Sequence, residues 1–432
     1  MARGQAPDPE LSVLISHSSV APFVQQAARA LHEAGNLDRF VTTLRYDPNS
    51  RPQRCAIRMA RAAGVDLEGL LQRRTITELP SSKVESHPLG EIIRLASSRF
   101  DHSGRLTDLV WERTEPAFDR LVARRVRREH TAVYGFEYCS LATFARAREL
   151  GVRVAYDMPA PEPRFVQGLL DAEIAHFPEL DTSYHRHTTK REERRIARRR
   201  AEWDAADLVI AASRFTRDSF AQGGFDTTKV QIVPYGAPPP ISQADLSRKT
   251  DDEAAPLRLL WAGTFSIRKG AHYLLEAWRK NRLARHIRLT VCGTVALPPR
   301  LLEPMPEHIE FTGPLPKAQL MARYDSADVL IFPTLCDGFG MVVTEAWSRG
   351  LPVIITDHAG ANDLLQPNRN GILIPAGDAD AIASALNWCL DHRAELRDMR
   401  EAALATAAGW QWSDYRRSLA VTLRQAGMFG RT

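Results

Sequence analysis

Residues 329–346 read VLIFPTLCDGFGMVVTEA. The uninterrupted apolar run over 329–332 predicts a strand buried on both faces. A proline ends it, because proline cannot donate to an interior ladder. Gly338 and Gly340 then predict a turn in which backbone approaches a neighbour or a ligand closely, and from 341 a helical pattern carries Glu345. Strand, glycine loop and helix start, in that order, form the repeating unit of an α/β fold with a parallel sheet. The helix mouth has free N–H groups and the positive end of the dipole, which favour an anion such as a phosphate. Asp337 precedes the helix and Glu345 lies eight positions further on, so their carboxylates can bracket one ligand. Carboxylates accept from hydroxyls of the kind that sugars and ribose carry.

The same grammar occurs upstream. Residues 259–270 read LLWAGTFSIRKG: a strand, a loop at Gly263 and Thr264, then Arg268 and Lys269 at the mouth of a helix reaching about residue 279. Two cations beside helix N–H groups suit a diphosphate. Both loops lie at the C-terminal ends of strands in the same half of the chain, where open parallel sheets bind ligands.

Working outward, strands are predicted at 257–262, 287–292, 309–311, 352–355 and 372–374 in this second half. In the first half they are predicted at 11–15, 40–44, 132–134, 152–156 and 208–212, with a helix over 22–34 stopped by Gly35. Residues 46–130 read as mostly helical and less regular. Between the halves, 234–256 holds three consecutive prolines at 238–240 and a polar, aperiodic stretch, which is linker composition.

Composition agrees with two domains. The chain has 432 residues, too many for one small core, with 44% hydrophobic and 25% charged residues and a net charge of +5, which excludes general disorder. No heptad or collagen period is sustained. The longest apolar runs, 208–212 and 329–332, fall far short of the roughly 18 residues that a spanning helix needs. The N-terminus carries acidic residues and prolines where a signal peptide needs an apolar core. Cys55, Cys139, Cys292, Cys336 and Cys389 form no CxxC pair, which argues against a disulfide framework or a structural zinc site. Asp378 and Asp380 have DxD spacing but open a predicted helix, where N-capping explains them, so no metal site is expected. The expectation is a cytoplasmic protein, at most peripheral at the inner face of a membrane.

As a set, residues 262–278 (AGTFSIRKGAHYLLEAW), 311–365 and 370–386 (NGILIPAGDADAIASAL) resemble the retaining family-4 glycosyltransferases. The segments 207–213 (DLVIAAS) and 233–236 (VPYG) resemble the end of that family's N-terminal domain. The resemblance implies a GT-B fold: α/β, with two Rossmann-like domains facing a central cleft. It divides the chain into an acceptor-binding domain at 1–236, a linker at 237–256, a nucleotide-sugar domain at 257–405, and a C-terminal helix at 406–432 crossing back to the first domain. In that fold Trp410 and Trp412 are packing residues. By the same resemblance Arg268 and Lys269 hold the donor diphosphate and Glu345 takes the ribose hydroxyls. Asp337 and the amides of Gly338, Phe339 and Gly340 contact the donor sugar, the Met341 and Val342 amides the phosphate, and Gly263 and Thr264 line the first loop. The family usually has Glu where this chain has Asp337, and often Arg where it has Thr264. No cofactor or metal is implied, only a nucleotide-diphosphate sugar as donor and a glycan, lipid-linked sugar or small molecule as acceptor.

On the acceptor side, His17, Ser18 and Ser19 follow the first strand and Asp157 follows a later one. The stretch 134–138 (YGFEY) fits either an acceptor pocket or core packing. The basic run 190–200 (KREERRIARRR) has two readings, a solvated helix with internal ion pairs or attraction to anionic lipid. Nucleic-acid binding is not expected, since no recognition motif accompanies the run. Two other functions stay open, a non-catalytic sugar-nucleotide binding protein and a sugar-nucleotide epimerase on the same fold.

Overall fold

A computed structural model describes residues 12–430, apart from 63, 65, 73, 102, 248–254 and 281–282. The N-terminal segment read above, including the expected strand start at 11, and the linker stretch 248–254 lie outside the described residues.

In the first half, β1 (Ser12–Ser16) leads through α1 (Pro22–Glu33) to β2 (Leu37–Thr42). A helical excursion follows: α2 (Arg51–Ala62), α3 (Leu67–Gln72), the short strand β3 (Val84–Ser86), α4 (Leu89–Phe100) and α5 (Arg105–Ala123). Alternation resumes with β4 (His130–Phe136), α6 (Leu141–Leu150), β5 (Arg153–Met158), α7 (Pro163–His176), α8 (Ser183–Ala205), β6 (Leu208–Ala211), α9 (Arg214–Gln222) and β7 (Val230–Ile232). The strands form a parallel sheet in the order β3-β2-β1-β4-β5-β6-β7. Every position of β4 is buried, as expected of a central strand covered on both faces. In α1, Pro22 sits at the helix start, Val24, Ala27, Ala28 and Leu31 make the buried stripe, and Gly35 turns the chain with a φ of 74°.

The short helix α10 (Gln243–Ser247) interrupts the linker. The second half runs β8 (Leu257–Ala262), β9 (Phe265–Ser266), α11 (Ala271–Lys280), β10 (Ile287–Cys292), β11 (Val295–Ala296), β12 (Ile309–Phe311), α12 (Lys317–Ser326), β13 (Val329–Phe332), α13 (Met341–Ser348), β14 (Val353–Thr356), β15 (Gly371–Ile374), α14 (Ala379–Asp391), α15 (Arg393–Gly409) and α16 (Trp412–Gln425). Its sheet has the order β12-β10-β8-β13-β14-β15, with β9 and β11 as a separate small ladder.

Both sheets therefore reverse direction once. The first builds outward from β1 to β3 and then resumes beside β1 with β4. The second builds from β8 to β12 and resumes beside β8 with β13. At each reversal the loops leaving the two central strands diverge to opposite faces and open a crevice.

The sequence readings meet the structure closely in the second half. In the first half, the strand expected at 40–44 is β2, displaced toward the N-terminus, and the edge strands β3 and β7 were not foreseen. Both are three residues long and partly exposed, too short for a periodic signal. Residue 405 falls inside α15. The last helix, α16, buries Tyr415, Leu419 and Leu423 against the first sheet, and Arg416 bonds Glu33 and Gln26 of α1, each at 2.7 Å. Trp410 donates its indole N–H to the Pro234 carbonyl at 3.0 Å, and Trp412 packs by Tyr235 and Tyr415. The outgoing and returning chains thus meet where the domains join.

Candidate functional site

At the crevice between β8 and β13, the two sequence motifs are one structure. The carbonyl of Arg268 accepts from the Leu335 amide at 2.9 Å and from the Thr334 hydroxyl at 3.2 Å. The Arg268 guanidinium reaches the Cys336 carbonyl at 3.3 Å. Gly270 lies so close to the second loop that a Cβ there would sit 1.9 Å from the Pro333 oxygen. Gly263 and Thr264 stay exposed at the end of β8, and a Cβ on Gly263 would meet open space.

Lys269 ion-pairs with Asp337 and lies 5.0 Å from the Phe332 ring centroid. Burial, with the Arg268 charge beside it, pushes the Lys269 ammonium down to about 7. The Asp337 countercharge acts in the opposite sense and favours the charged form. Asp337 also accepts from the Phe339 amide at 3.0 Å, closing a tight turn. Gly340 then caps α13 in the left-handed region, with a φ of 89°, and Met341 and Val342 supply the first helical N–H groups, which have no intrahelical acceptor. One turn along α13, Glu345 accepts from Lys317 and from the Tyr324 hydroxyl, the latter at 3.1 Å. This crevice combines two cations, a helix mouth and two carboxylates, each already held by partners. Such a set can bind a polyhydroxylated anion.

The glycine loop is also tied to the first domain. The Gly338 carbonyl accepts from Ser213 at 2.6 Å and Thr216 at 3.2 Å, both at the start of α9. A Cβ on Gly338 would lie 2.0 Å from the Pro159 oxygen, so only glycine fits the approach. The Phe339 side chain is buried against Tyr235, with ring centroids 5.3 Å apart, which leaves its backbone for ligand contact.

At the C-terminal ends of β1 and β2, beneath the helical excursion, lies a cavity of about 600 Å³. His17, Ser18 and Ser19 form its floor beside β1, and Arg74, Glu91, Arg94, Trp111 and Glu115 form its wall from the helical excursion. His17 packs edge-on to Phe136 at 4.9 Å, and its Nδ1 accepts from the Ser19 amide at 2.7 Å. Burial lowers His17 to about 4, so at neutral pH the ring is uncharged. Glu91 accepts from Arg74 at 2.5 Å and from both Nε and Nη2 of Arg94 at 2.7 and 2.6 Å. Glu115 is 8% exposed, and burial pushes its carboxyl up to about 7. Rings connect this cavity to the crevice between β8 and β13: His17 to Phe23 at 6.3 Å, Phe23 to Tyr235 at 5.1 Å, and Tyr235 to Phe339.

Sequence reasoning missed Arg74, Glu91, Arg94, Trp111 and Glu115. They come from α4, α5 and the turn after α3, with no contiguous motif. The one local oddity was Pro116 inside α5, immediately after Glu115.

Three expectations need correction. Asp157 does not line this cavity. It is 1% exposed and accepts from the Tyr134 hydroxyl at 2.6 Å and the Tyr235 hydroxyl at 3.5 Å, and burial raises it to about 7. It is a buried node beneath the domain junction. Tyr134 and Phe136 likewise pack in the core, so the pocket reading of 134–138 fails for them. The run 190–200 forms ion pairs, but mainly with other helices rather than along its own. Arg195 bonds Asp108 and Glu112 at 2.7 and 3.0 Å, Arg191 bonds Glu112 at 3.2 Å, Arg198 bonds Asp119 at 2.5 Å, and Arg199 bonds Glu137. Most of its arginines therefore hold α8 against α5 and β4. Among the described residues no cluster of His, Cys, Asp and Glu could hold a metal ion, and no helix is long and apolar enough to cross a membrane.

Residues 256–392 match the family model described as Glycosyl transferases group 1. A D-inositol 3-phosphate glycosyltransferase of Corynebacterium urealyticum is 27% identical over 251 residues, covering 53% of this chain and 58% of that protein. A GDP-mannose-dependent alpha-(1-6)-phosphatidylinositol monomannoside mannosyltransferase of Mycolicibacterium smegmatis is 29% identical over 240 residues, covering 51% of this chain and 60% of that protein. The alignments thus span less than two thirds of the length of these relatives. The crystal structure of Anabaena HepE in complex with UDP superposes on 96% of this chain and 100% of its own, with a TM-score of 0.60 at 17% identity. What is shared there is the fold, the two-domain GT-B arrangement.

Proposed function

We propose that this chain, which carries a group 1 glycosyl transferase domain over residues 256–392 on a GT-B fold, moves a sugar from a nucleotide-diphosphate donor to a hydroxyl-bearing acceptor. One observation carries the reading: Arg268, Lys269 and the mouth of α13 converge at the crevice between β8 and β13, while a separate open cavity lies beside the loop after β1 in the first half. An incoming diphosphate takes over the Lys269 ammonium and frees Asp337 to accept from a sugar hydroxyl. Glu345, held by Lys317 and Tyr324, accepts from the ribose. As the glycosidic bond breaks, charge grows on the leaving diphosphate, and Arg268, Lys269 and the Met341 and Val342 amides stabilise it. These protein groups supply the stabilisation that a metal ion would otherwise provide. By resemblance to its family the transfer retains anomeric configuration. Closure about the junction of Tyr235 with Trp410 and Trp412 excludes water that would hydrolyse the donor.

Nucleotide binding tests the donor site directly. UDP or GDP at a hundredfold excess over its dissociation constant stabilises the protein by roughly 2.7 kcal/mol. No thermal shift with either, or with their sugar derivatives, would sink the reading.

In this reading the enzyme works in the cytoplasm and its membrane contact belongs to α4, not to the run 190–200. That helix turns Glu91 and Arg94 inward and leaves Leu89, Ile92, Ile93 and Phe100 exposed, Phe100 at 79%. Exposed apolar side chains in one stripe favour an interface with lipid. Ile93→Asp is expected to abolish co-sedimentation with anionic vesicles; unchanged sedimentation would remove the membrane from the account.

A further inference from the structure

The cavity beside the loop after β1 holds one acid that packing does not explain. Helix α5 carries Asp108, Glu112, Glu115 and Asp119, a spacing that sets all four along one stripe of the helix. Three of them hold α8: Asp108 and Glu112 bond Arg195 at 2.7 and 3.0 Å, and Asp119 bonds Arg198 at 2.5 Å. Glu115 forms no such ion pair among the described residues. It is 8% exposed, it accepts from the Ser18 hydroxyl, and both residues line the cavity. Burying a carboxyl costs free energy that an ion pair or further hydrogen bonds must offset. The other charged side chains of the lining, Arg74, Glu91 and Arg94, are bonded to one another. Glu115 is therefore the acid left to meet a ligand. Ser18 and Ser19 add hydroxyls beside it, and Trp111, stacked on Tyr138 at 4.4 Å, adds apolar surface. Sugars and polyols match both, with hydroxyls that pair with carboxyls and C–H faces that pack on aromatic rings. The volume of about 600 Å³ lies within the usual small-molecule range of roughly 300–1,000 Å³.

We infer that Glu115 determines acceptor specificity: with the Ser18 hydroxyl beside it, it takes a hydroxyl of a sugar or polyol that enters this cavity. The inference rests on the transferase reading and adds the residue that reads the acceptor and the chemical class it reads. A site built to pair with a hydroxyl rejects ligands that lack one, because its own buried polar group is then left without a partner.

The test is ligand-observed NMR on the full chain, with UDP or GDP present, using glucose, mannose and myo-inositol as probes. The expected result is that at least one probe binds the unsubstituted protein and that Glu115→Ala weakens it tenfold or more. Glu115→Gln keeps the shape and one acceptor oxygen, so it should weaken the same probe less, by threefold or more; it decides the matter if Glu115→Ala does not fold. Thermal unfolding separates recognition from packing. Removing a buried acid that has no ion pair should leave stability unchanged or higher. If none of the three probes binds, or if binding is unchanged by both substitutions, the inference is overturned. Lower stability with unchanged probe binding likewise overturns it and makes Glu115 a structural residue. UDP and GDP binding, measured on the same samples, reports folding and the donor site separately. Intact nucleotide binding with no effect of Glu115 on the probes rejects this inference alone, whereas no nucleotide binding by the unsubstituted protein rejects the transferase reading beneath it.

Discussion

Between β8 and β13, two glycine loops are laced by the Arg268 carbonyl and pressed together at Gly270 and Pro333, and the Lys269 charge is already met by Asp337. At the ends of β1 and β2, the loop after β1 faces an open cavity of about 600 Å³ whose wall is borrowed from α4 and α5. The two sheets share one topology, but the materials of the two sites differ. A site for one kind of group, a diphosphate, can be made from backbone and a few adjacent residues. A site that must suit a particular acceptor is assembled from side chains far apart in the chain, on helices that can vary without disturbing the sheet.

Substitutions can break this contrast. The largest effect is expected at Lys269: Lys269→Ala should lower kcat/KM by about 100- to 1000-fold, the scale of losing one stabilising group at a developing anion. Steady-state kinetics check it, and a loss below about threefold would remove Lys269 from the chemistry. Glu345→Gln keeps the shape but loses the charged acceptor, so donor KM should rise about tenfold or more with a smaller change in kcat. Next comes the interdomain pin. Gly338→Ala forces a Cβ against the Pro159 oxygen and should destabilise by about 1–3 kcal/mol. Gly168→Ala, on α7 with nothing within 4 Å, should be neutral or slightly stabilising. Chemical denaturation of the two variants sharpens the comparison.

The smallest effect concerns Asp157. Its carboxyl keeps its proton in the folded chain up to about 7, whereas the unfolded chain releases it near 3.8. Between those values the folded state binds more protons, so this group's contribution makes stability fall as pH rises through the window and level off above it. Asp157→Asn should flatten that slope when unfolding is followed from pH 4 to 8. An unchanged slope would mean that Asp157 is ionised when folded.

The second half was legible because its chemistry is local. Strand ends, glycines, Arg268, Lys269, Asp337 and Glu345 sit within two short windows, and periodicity alone brings them to one sheet edge. The first half yielded only its β1 loop. Arg74, Arg94 and Glu115 are spread over three elements, and no spacing rule links them before the helices pack. Asp157 misled because a polar residue at a strand end reads as a loop ligand, whereas Tyr134 and Tyr235 reach it from neighbouring elements and bury it. The basic run misled for a related reason: its counter-charges, Asp108, Glu112 and Asp119, lie on α5, far away in sequence.

The central claim is that two separate sites divide the work, donor at the crevice between β8 and β13 and acceptor at the cavity beside β1. Calorimetric titration of UDP and GDP into the unsubstituted chain, Lys269→Ala and Arg94→Ala tests it most directly. The account predicts that a nucleoside diphosphate binds the unsubstituted protein, that Lys269→Ala weakens it at least tenfold, and that Arg94→Ala changes it less than twofold. Nucleotide binding that survives Lys269→Ala and collapses with Arg94→Ala would contradict the division.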